Sequence, residues 1–245
     1  MTAESVVRIA LLLPDVLGTY SDRGNAIVLA QRLRLRGIPA QVIPVSAETA
    51  APTSCDVYVI GGGEDAAQAF AVQWLVDQPA LLTALQTTEV LAVCAGMQVL
   101  GDWMEDSGGR RVAGASVLDL TTTSGRLRAV GEVVADCTDG DVQTLTGFEN
   151  HSGHTCLGAD ATPLGRVLVG TGNGEGTDGV LTASAVGTYL HGPVLARNPT
   201  LADFVLRRAT GQVLPELQVP DEAIARDLHL RQARRRRPRS GSRRA

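Results

Sequence analysis

The sequence predicts an α/β protein built on a doubly wound, mostly parallel sheet that is flanked by helices. Through the first part of the chain, short apolar runs alternate with segments of helical periodicity, a pattern typical of parallel sheets. The runs are almost continuously apolar, as expected of strands that are buried on both faces. The predicted strands cover residues 6–13, 40–45, 56–60 and 89–93.

Helices are predicted between these strands. The first opens at Asp22 and stops near Gly37, because glycine is favoured just beyond a helix end. The second begins after the glycine run 61–63 and continues to about Gln86, with an interruption near Pro79. A third helix is expected to follow Cys94 and to run to about Met104.

The second half of the chain has a different texture. Residues 112–190 hold short β-rich runs between turn signals, and they are predicted to form a mixed or antiparallel extension of the same sheet. A closing helix is expected at 200–210, with Gly211 as its cap. These observations predict one domain over residues 1–214, followed by a C-terminal extension, 215–245, with a marginal helix and a disordered arginine-rich end.

Composition excludes several classes of protein. The four cysteines are widely separated without a CxxC pair, and the four histidines form no HExxH motif, so a disulfide framework and a zinc site are not expected. No apolar run approaches the roughly 18 residues of a membrane span. Since the first residues do not resemble a signal peptide, a cytoplasmic location is predicted.

The charge is distributed unevenly. Residues 226–245 carry nine arginines and one aspartate, a net charge of +8. Since the whole chain has a net charge of −4, residues 1–225 carry −12. A basic end can contact nucleic acid, an anionic membrane or an acidic partner, but it can equally be a solvated tail. Because the chain has no lysine, its arginine content is partly a compositional bias, and no nucleic-acid partner is predicted.

The most informative stretch is 89–101, where an apolar strand ends at Cys94 and two small residues lead into a helix. The sulfur is thereby predicted to lie at the amino end of a helix, where unpaired N–H groups and the helix dipole stabilise a thiolate. Cys94 is therefore a candidate nucleophile, and a buried structural cysteine is the alternative.

His191 is the candidate base for this nucleophile. A β-rich run leads up to it and Gly192-Pro193 follow, so it is predicted to lie at a strand end like Cys94. A histidine in a surface loop is the alternative. Oxyanion donors could come from the Ala95 N–H and from Gly61–Gly63, although that glycine run could instead be a phosphate-binding turn.

These motifs, taken in order, resemble those of a known family. Gly61-Gly-Gly63, Val93-Cys-Ala-Gly-Met-Gln98 and Tyr189-Leu-His-Gly192 resemble the class I glutamine amidotransferases, and more narrowly their CobB/CobQ branch. Two further stretches, Tyr20-Ser-Asp-Arg-Gly-Asn25 and Gly147-Phe-Glu-Asn-His-Ser-Gly-His154, are similar to those of the GatD-type glutaminase subunits of lipid II isoglutaminyl synthase.

The resemblance implies a role for each matching residue. Cys94 would attack the side-chain amide of glutamine and form a thioester that water hydrolyses, while His191 would move the protons. Backbone groups around Gly62 and Ala95 would stabilise the oxyanion. Gln98 occupies the position on the helix that contacts the substrate in the family.

The remaining matches concern the rest of the substrate. Arg128 is the expected partner of the glutamine α-carboxylate, because a planar guanidinium suits a carboxylate. A solvent-facing strand arginine is the alternative. Residues 150–154 match a family loop beside the substrate, although local turn bonding would also explain them.

One position departs from the pattern of many class I amidotransferases. A glutamate two residues after the histidine usually orients the imidazole, and Pro193 stands there instead. The third member is then absent, supplied elsewhere in the chain, or supplied by a partner. This gap predicts weak glutaminase activity for the isolated chain.

The resemblance also implies partners. L-glutamine would be the substrate, and the ammonia would pass to a MurT-like, Mur-ligase-related subunit that amidates the α-carboxylate of D-glutamate in lipid II. Since no nucleotide-binding motif is present, no cofactor is expected in this chain, and ATP and Mg²⁺ are expected on the partner. The alternatives are a glutaminase for cobyric acid or another cofactor, a catalytically silent binding module, and a cysteine peptidase or related hydrolase.

Overall fold

A computed structural model describes residues 6–18 and 21–235 of the 245-residue chain. Tyr20 of the motif near the start and the arginine-rich end beyond residue 235 lie outside these ranges. The strands are β1 Val7–Leu12, β2 Ala40–Val45, β3 Val57–Ile60, β4 Glu89–Val93, β5 Trp103–Glu105, β6 Arg111–Ala113, β7 Leu120–Cys137, β8 Leu145–Leu157, β9 Gly165–Val169, β10 Thr177–Asp178, β11 Val180–Leu181 and β12 Ala185–Thr188. The helices are α1 Gly24–Arg34, α2 Asp65–Val76, α3 Pro79–Thr87, α4 Ala95–Leu100, α5 Val194–Arg197, α6 Pro199–Thr210 and α7 Glu222–Arg235.

The first sheet is the one that the sequence predicts. Its strand order is β2-β1-β3-β4-β12-β11; the first five strands are parallel and β11 is antiparallel at one edge. Every residue of β3, β4 and β12 is buried, which explains their continuous apolar sequences. This arrangement confirms the predicted α/β class, with a mostly parallel sheet flanked by helices.

A second sheet was not predicted. It has the order β10-β9-β7-β5-β6, and β8 pairs with β7. The expectation that residues 112–190 extend the first sheet was therefore wrong, except for β11 and β12. In β8 buried and less buried residues alternate, as in a strand with one face towards the core, so it does not suit a sheet that is covered on both faces.

Two local predictions also change. The helix after Cys94 ends at Leu100 rather than near Met104, because the backbone is already extended at Gly101 and β5 begins at Trp103. Residues 150–154, which were predicted as a loop, lie within β8, where all of them except Ser152 pair with β7 in register.

The C-terminal part of the chain returns to the domain. Gly211 ends α6 in the left-handed conformation, with φ 64°, as predicted. The following helix, α7, is held by an ion pair of 2.5 Å between Arg32 and Glu222 and by a hydrogen bond from Arg226 to the carbonyl oxygen of Thr144. The end that was predicted to be disordered, 236–245, lies outside the described residues. Among the helices within residues 6–18 and 21–235, none combines the length and apolar character that crossing a membrane requires.

Candidate active site

The candidate site lies where four neighbouring parallel strands end. β1, β3, β4 and β12 are adjacent in the first sheet and point the same way, so the segments that follow them share one edge. Asp22, the glycine run, Cys94 and His191 belong to these four segments. Ligands of open α/β sheets bind at this edge.

Cys94 occupies a sharp turn between β4 and α4. Its backbone has φ 53° and ψ −111°, which is rare for a residue with a side chain and costs free energy, on the order of 1–3 kcal/mol. Gly96 makes this turn possible, because a Cβ there would lie 2.6 Å from the carbonyl oxygen of Ile60. The strained turn directs a mostly buried cysteine into the site, as in other strand–nucleophile–helix elbows.

The imidazole of His191 is held by a carboxylate from the beginning of the chain. Its Nδ1 lies 3.0 Å from both oxygens of Asp22, and both side chains are almost fully buried. Asp22 is itself fixed by the backbone N–H of Gly62, at 2.9 Å. The missing member of the catalytic group thus has a candidate within this chain, 169 residues before the histidine.

The surroundings favour a protonated imidazole. Burial alone lowers the pKa of His191, but hydrogen bonds to Asp22 and Cys94 and the negative charges of these two groups outweigh it and raise the pKa to about 10. His191 and Cys94 also line the same cavity, so the two side chains belong to one site. The arrangement is suited to an imidazolium beside a thiolate.

The backbone around His191 is also fixed. Its N–H and carbonyl oxygen form a pair of hydrogen bonds with Phe148 of β8, which links the second sheet to the site. Just before it, the hydroxyl of Thr188 donates to the buried carboxylate of Asp178 at 2.6 Å. Burial raises the pKa of Asp178 to about 6 despite this bond.

A cavity of about 300 Å³ opens beside these residues. Of the residues that the sequence singled out, Cys94, His191, Gln98 and Arg128 line it, together with 150–153 of β8. The cavity is large enough for an amino acid, and its lining is mainly polar.

Gln98 is buried in α4 and both ends of its amide are engaged. Its Nε2 donates to the hydroxyl of Tyr189 at 2.9 Å, and its Oε1 accepts from Nε2 of Gln68 at 2.5 Å. An amide can form two hydrogen bonds at each end, so each end of Gln98 has the capacity for one more.

Arg128 reaches the cavity because β7 bulges. The pairing of β7 with β8 shifts register between Ser124 and Ala129, and residues 126–128 between them are exposed. The guanidinium of Arg128 is 46% exposed; it donates to Oδ1 of Asn150 at 2.5 Å and lies 3.5 Å from the carboxylate of Glu64. It is therefore neither a core residue nor a free surface arginine.

The two predicted oxyanion donors differ in their positions. The N–H of Gly62 donates to Asp22, so it serves the carboxylate, and Gly63 is the glycine of the run that lines the cavity. Ala95 is the first residue of α4, and the N–H groups of a first helical turn have no acceptor within the helix.

Sequence reasoning missed three residues of this site: Asp22, Glu64 and Gln68. Asp22 lies within a motif that the sequence singled out, directly after the first predicted strand, and its place at the carboxyl edge of the sheet was the available signal. Gln68 is one turn into α2 and resembles any polar helix residue. Within the described ranges, no cluster of His, Cys, Asp and Glu side chains could hold a metal ion.

Comparisons with known proteins identify relatives over most of the chain. Residues 8–199 match the CobB/CobQ-like glutamine amidotransferase domain. The GatD subunit of the glutamine-hydrolyzing lipid II isoglutaminyl synthase of Staphylococcus aureus (strain N315) is 36% identical over 201 residues, which cover 80% of this chain and 81% of that protein. The same subunit of Streptococcus pneumoniae is 33% identical over 227 residues, covering 87% and 85%.

A further relative is similar over a shorter part of the chain. The cobyric acid synthase of Photorhabdus laumondii is 32% identical over 152 residues, which cover 54% of this chain and 29% of that protein. The domain match and the two GatD relatives extend over most of the chain. The chain therefore belongs to the CobB/CobQ-like glutamine amidotransferase family and is an enzyme of that class.

Proposed function

We propose that this chain hydrolyses L-glutamine through a thioester at Cys94 and serves as the glutaminase subunit of a lipid II isoglutaminyl synthase. The observation that carries the reaction is the buried group of Cys94, His191 and Asp22 beside an amino-acid-sized cavity. The acceptor rests on the two relatives that are named as GatD subunits.

In the proposed reaction, Sγ of Cys94 attacks the side-chain carbonyl carbon of glutamine. His191 gives a proton to the departing nitrogen as the carbon–nitrogen bond breaks, so that ammonia leaves and a glutamyl thioester remains. Water then attacks the thioester, with His191 accepting its proton, and the carbon–sulfur bond breaks to release glutamate. The raised pKa of His191 supports its presence as the proton donor.

Asp22 keeps this histidine in the orientation that the reaction needs. When Nδ1 carries a hydrogen that bonds to the carboxylate, Nε2 is the ring nitrogen that faces the thiol. A cysteine–histidine pair requires this tautomer and this orientation. The N–H of Ala95, together with backbone groups around Gly63, would stabilise the oxyanion.

The amino-acid end of the substrate is proposed to bind at Arg128. A guanidinium that is half exposed and already adjacent to Asn150 can form a two-pronged bond with a carboxylate. Glu64, beside it, offers an acceptor for the substrate ammonium group. Gln98 would contact the rest of the substrate through the hydrogen-bonding positions that its partners leave free.

The ammonia is proposed to pass to a MurT-like ligase that amidates the α-carboxylate of D-glutamate in lipid II. ATP and Mg²⁺ would act on that partner, and this chain would need no cofactor. A cytoplasmic location, where lipid II precursors and ATP are available, completes the proposal.

The test of the chemistry is glutamate release by the purified chain and by Cys94→Ser. We expect the variant to lose activity by about 1000-fold or more, as nucleophile removal does in comparable enzymes. Cys156→Ser, which changes an exposed cysteine, is the matched control and should match the unmodified chain. Diazo-oxo-norleucine should modify Cys94 alone. Turnover by Cys94→Ser at the unmodified rate would refute the assignment.

The test of the acceptor is copurification with a MurT-like protein and transfer of ammonia to lipid II. We expect a stable complex whose glutaminase activity equals or exceeds that of the isolated chain. Failure of both binding and transfer, with glutaminase activity intact, would leave the amidotransferase and remove the lipid II acceptor.

A further inference from the structure

The buried face of β8 carries a polar group that the proposed chemistry does not use. Glu149, His151 and Gly153 alternate along this strand and share one face, and the three residues are buried. His151 and Gly153 also line the cavity. A buried ion pair or hydrogen-bonded pair at such a place calls for an explanation, because burial of polar groups costs stability unless they are fully bonded.

Both nitrogens of the His151 ring face acceptors of the protein. Nδ1 lies 3.0 Å from the carbonyl oxygen of Gly153, and Nε2 lies 3.3 Å from Oε2 of Glu149. A carbonyl oxygen can only accept, so Nδ1 carries a hydrogen. The ring therefore has a fixed orientation and no nitrogen left over for a substrate.

Glu149 is itself anchored. Its carboxylate accepts the backbone N–H groups of Thr171 and Gly172, each at 2.9 Å, in the glycine-rich turn that follows β9. Because Glu149 is held at three points, it acts as a rigid support for the histidine rather than as a mobile side chain.

Two contacts of His151 converge on Gln98. The imidazole stacks on the ring of Tyr189, with 3.8 Å between centroids and 18° between planes, and the Tyr189 hydroxyl accepts from Gln98. Gly153, whose carbonyl oxygen binds the imidazole, packs so closely on Gln98 that a Cβ at this position would overlap the Nε2 atom. Tyr189 is further fixed by Thr155, at 2.6 Å.

We propose that His151 is a positioning residue, held by Glu149, that fixes the amide of Gln98 for glutamine binding. With Nε2 bound to Tyr189 and Oε1 bound to Gln68, the amide presents one N–H and one lone pair in a constant direction. That pairing matches a carboxamide or a zwitterionic amino acid. The inference rests on the proposed glutaminase function. It adds the residues that hold Gln98, a proposed substrate contact, in place.

The test is a double-mutant cycle with His151→Phe and Gln98→Ala, measured by glutaminase kinetics. Phenylalanine keeps the stacking on Tyr189 and removes both ring hydrogen bonds. In the unmodified background we expect His151→Phe to lower kcat/KM about tenfold, mainly through a higher KM. In the Gln98→Ala background the same substitution should change kcat/KM by less than about twofold, because the effects of residues in one network are not additive. His229→Phe, on α7 and not among the residues that line the cavity, is the matched control and should be unaffected.

A second readout separates positioning from damage to the nucleophile. Alkylation of Cys94 by iodoacetamide depends on Cys94, His191 and Asp22, so His151→Phe should be alkylated at the rate of the unmodified chain. Should His151→Phe fail to fold, Glu149→Gln, which keeps the shape of the support, should show the same KM effect more weakly.

Three results would overturn the inference. The first is an equal change in kcat/KM on His151→Phe in the unmodified and the Gln98→Ala backgrounds. The second is an unchanged kcat/KM when His151→Phe is made in the unmodified chain. The third is a loss of Cys94 alkylation in parallel with the loss of turnover. Failure of the proposed function would look different, since the unmodified chain would then release no glutamate.

Discussion

At the scale of residues, the central finding is the carboxylate of Asp22 against His191. A buried histidine loses its charge unless an anion and hydrogen bonds favour the imidazolium, and Asp22 supplies both. Pro193 can therefore occupy the position of the usual glutamate without leaving the imidazole unsupported. The prediction of weak glutaminase activity for the isolated chain was based on the missing glutamate at Pro193. Because Asp22 can support the imidazole, that reason no longer applies.

Asp22→Asn tests this contact. The amide keeps the size of the side chain and removes its charge, so the pKa of His191 should fall towards its ordinary value and the imidazolium at neutral pH should diminish. We expect kcat for glutamine to drop by roughly 100-fold or more, in the manner of triads that lose their acid. The alkylation rate of Cys94 against pH is the second measurement. Unchanged kinetics would show that Asp22 is only structural.

Arg128 offers a second test at this scale. Loss of a charge-assisted bond to the substrate carboxylate should raise KM by about 10- to 100-fold in Arg128→Ala, with a smaller change in kcat. Arg126→Ala, an exposed arginine in the same bulge, is the matched control. A KM equal to that of the unmodified chain would return Arg128 to the class of surface arginines.

At the scale of elements, the turn from β4 to α4 sets the position of the nucleophile. α4 has only six residues and all of them are buried, so tertiary packing rather than helix propensity holds it. Gly96 brings the turn against the end of β3, which also leads to the glycine run.

Gly96→Ala should therefore destabilise the domain. Its Cβ would meet the carbonyl oxygen of Ile60 at 2.6 Å, and relief requires movement of buried backbone, which costs about 1–3 kcal/mol. Gly131→Ala is the matched control, since nothing lies within 4 Å of a Cβ there. Urea unfolding at neutral pH measures both. Equal stability of the two variants would mean that the elbow relaxes without cost.

At the scale of the whole molecule, the far end of the first sheet carries a buried ion pair. Glu89 begins β4, and its carboxylate accepts from Arg208 of α6 at 2.9 Å. Burial raises the pKa of Glu89 to about 7, because Arg208 offsets only part of the desolvation. This pair joins α6 to the start of β4, at the end of the strand opposite the candidate site.

The pH dependence of global stability follows from this shift. Because the pKa of Glu89 is raised from 4.5 on folding, its contribution is fully present below about pH 4.5 and is lost as the pH rises through about 7. The glutamine in Glu89→Gln cannot titrate. Between pH 5 and pH 7.5 the free energy of unfolding of this variant should therefore fall less than that of the unmodified chain, the difference being on the order of 2 kcal/mol. Urea titrations at both pH values measure this difference. The exposed Glu48→Gln should retain the full pH dependence, and an identical dependence in Glu89→Gln would contradict the assignment.

The sequence alone determined the first sheet and the two residues singled out as nucleophile and base. Continuous apolar runs that alternate with helical periodicity specify β1, β3 and β4, because strands buried on both faces have no other composition available. Cys94 and His191 could be identified because each lies at a strand end, in a local pattern with few alternatives. Their catalytic roles stay predictions until they are measured.

The second sheet and the residues that support the site could not be predicted from local patterns. The backbone groups of β7 and β8 pair with each other along a long antiparallel ladder. Local sequence does not indicate to which sheet such strands belong. Asp22, Gln68 and Glu149 are ordinary polar residues in sequence, and they reach the site only because distant strands end at one edge and β8 folds against it. Such contacts depend on packing between segments far apart in the chain, which local residue patterns do not encode.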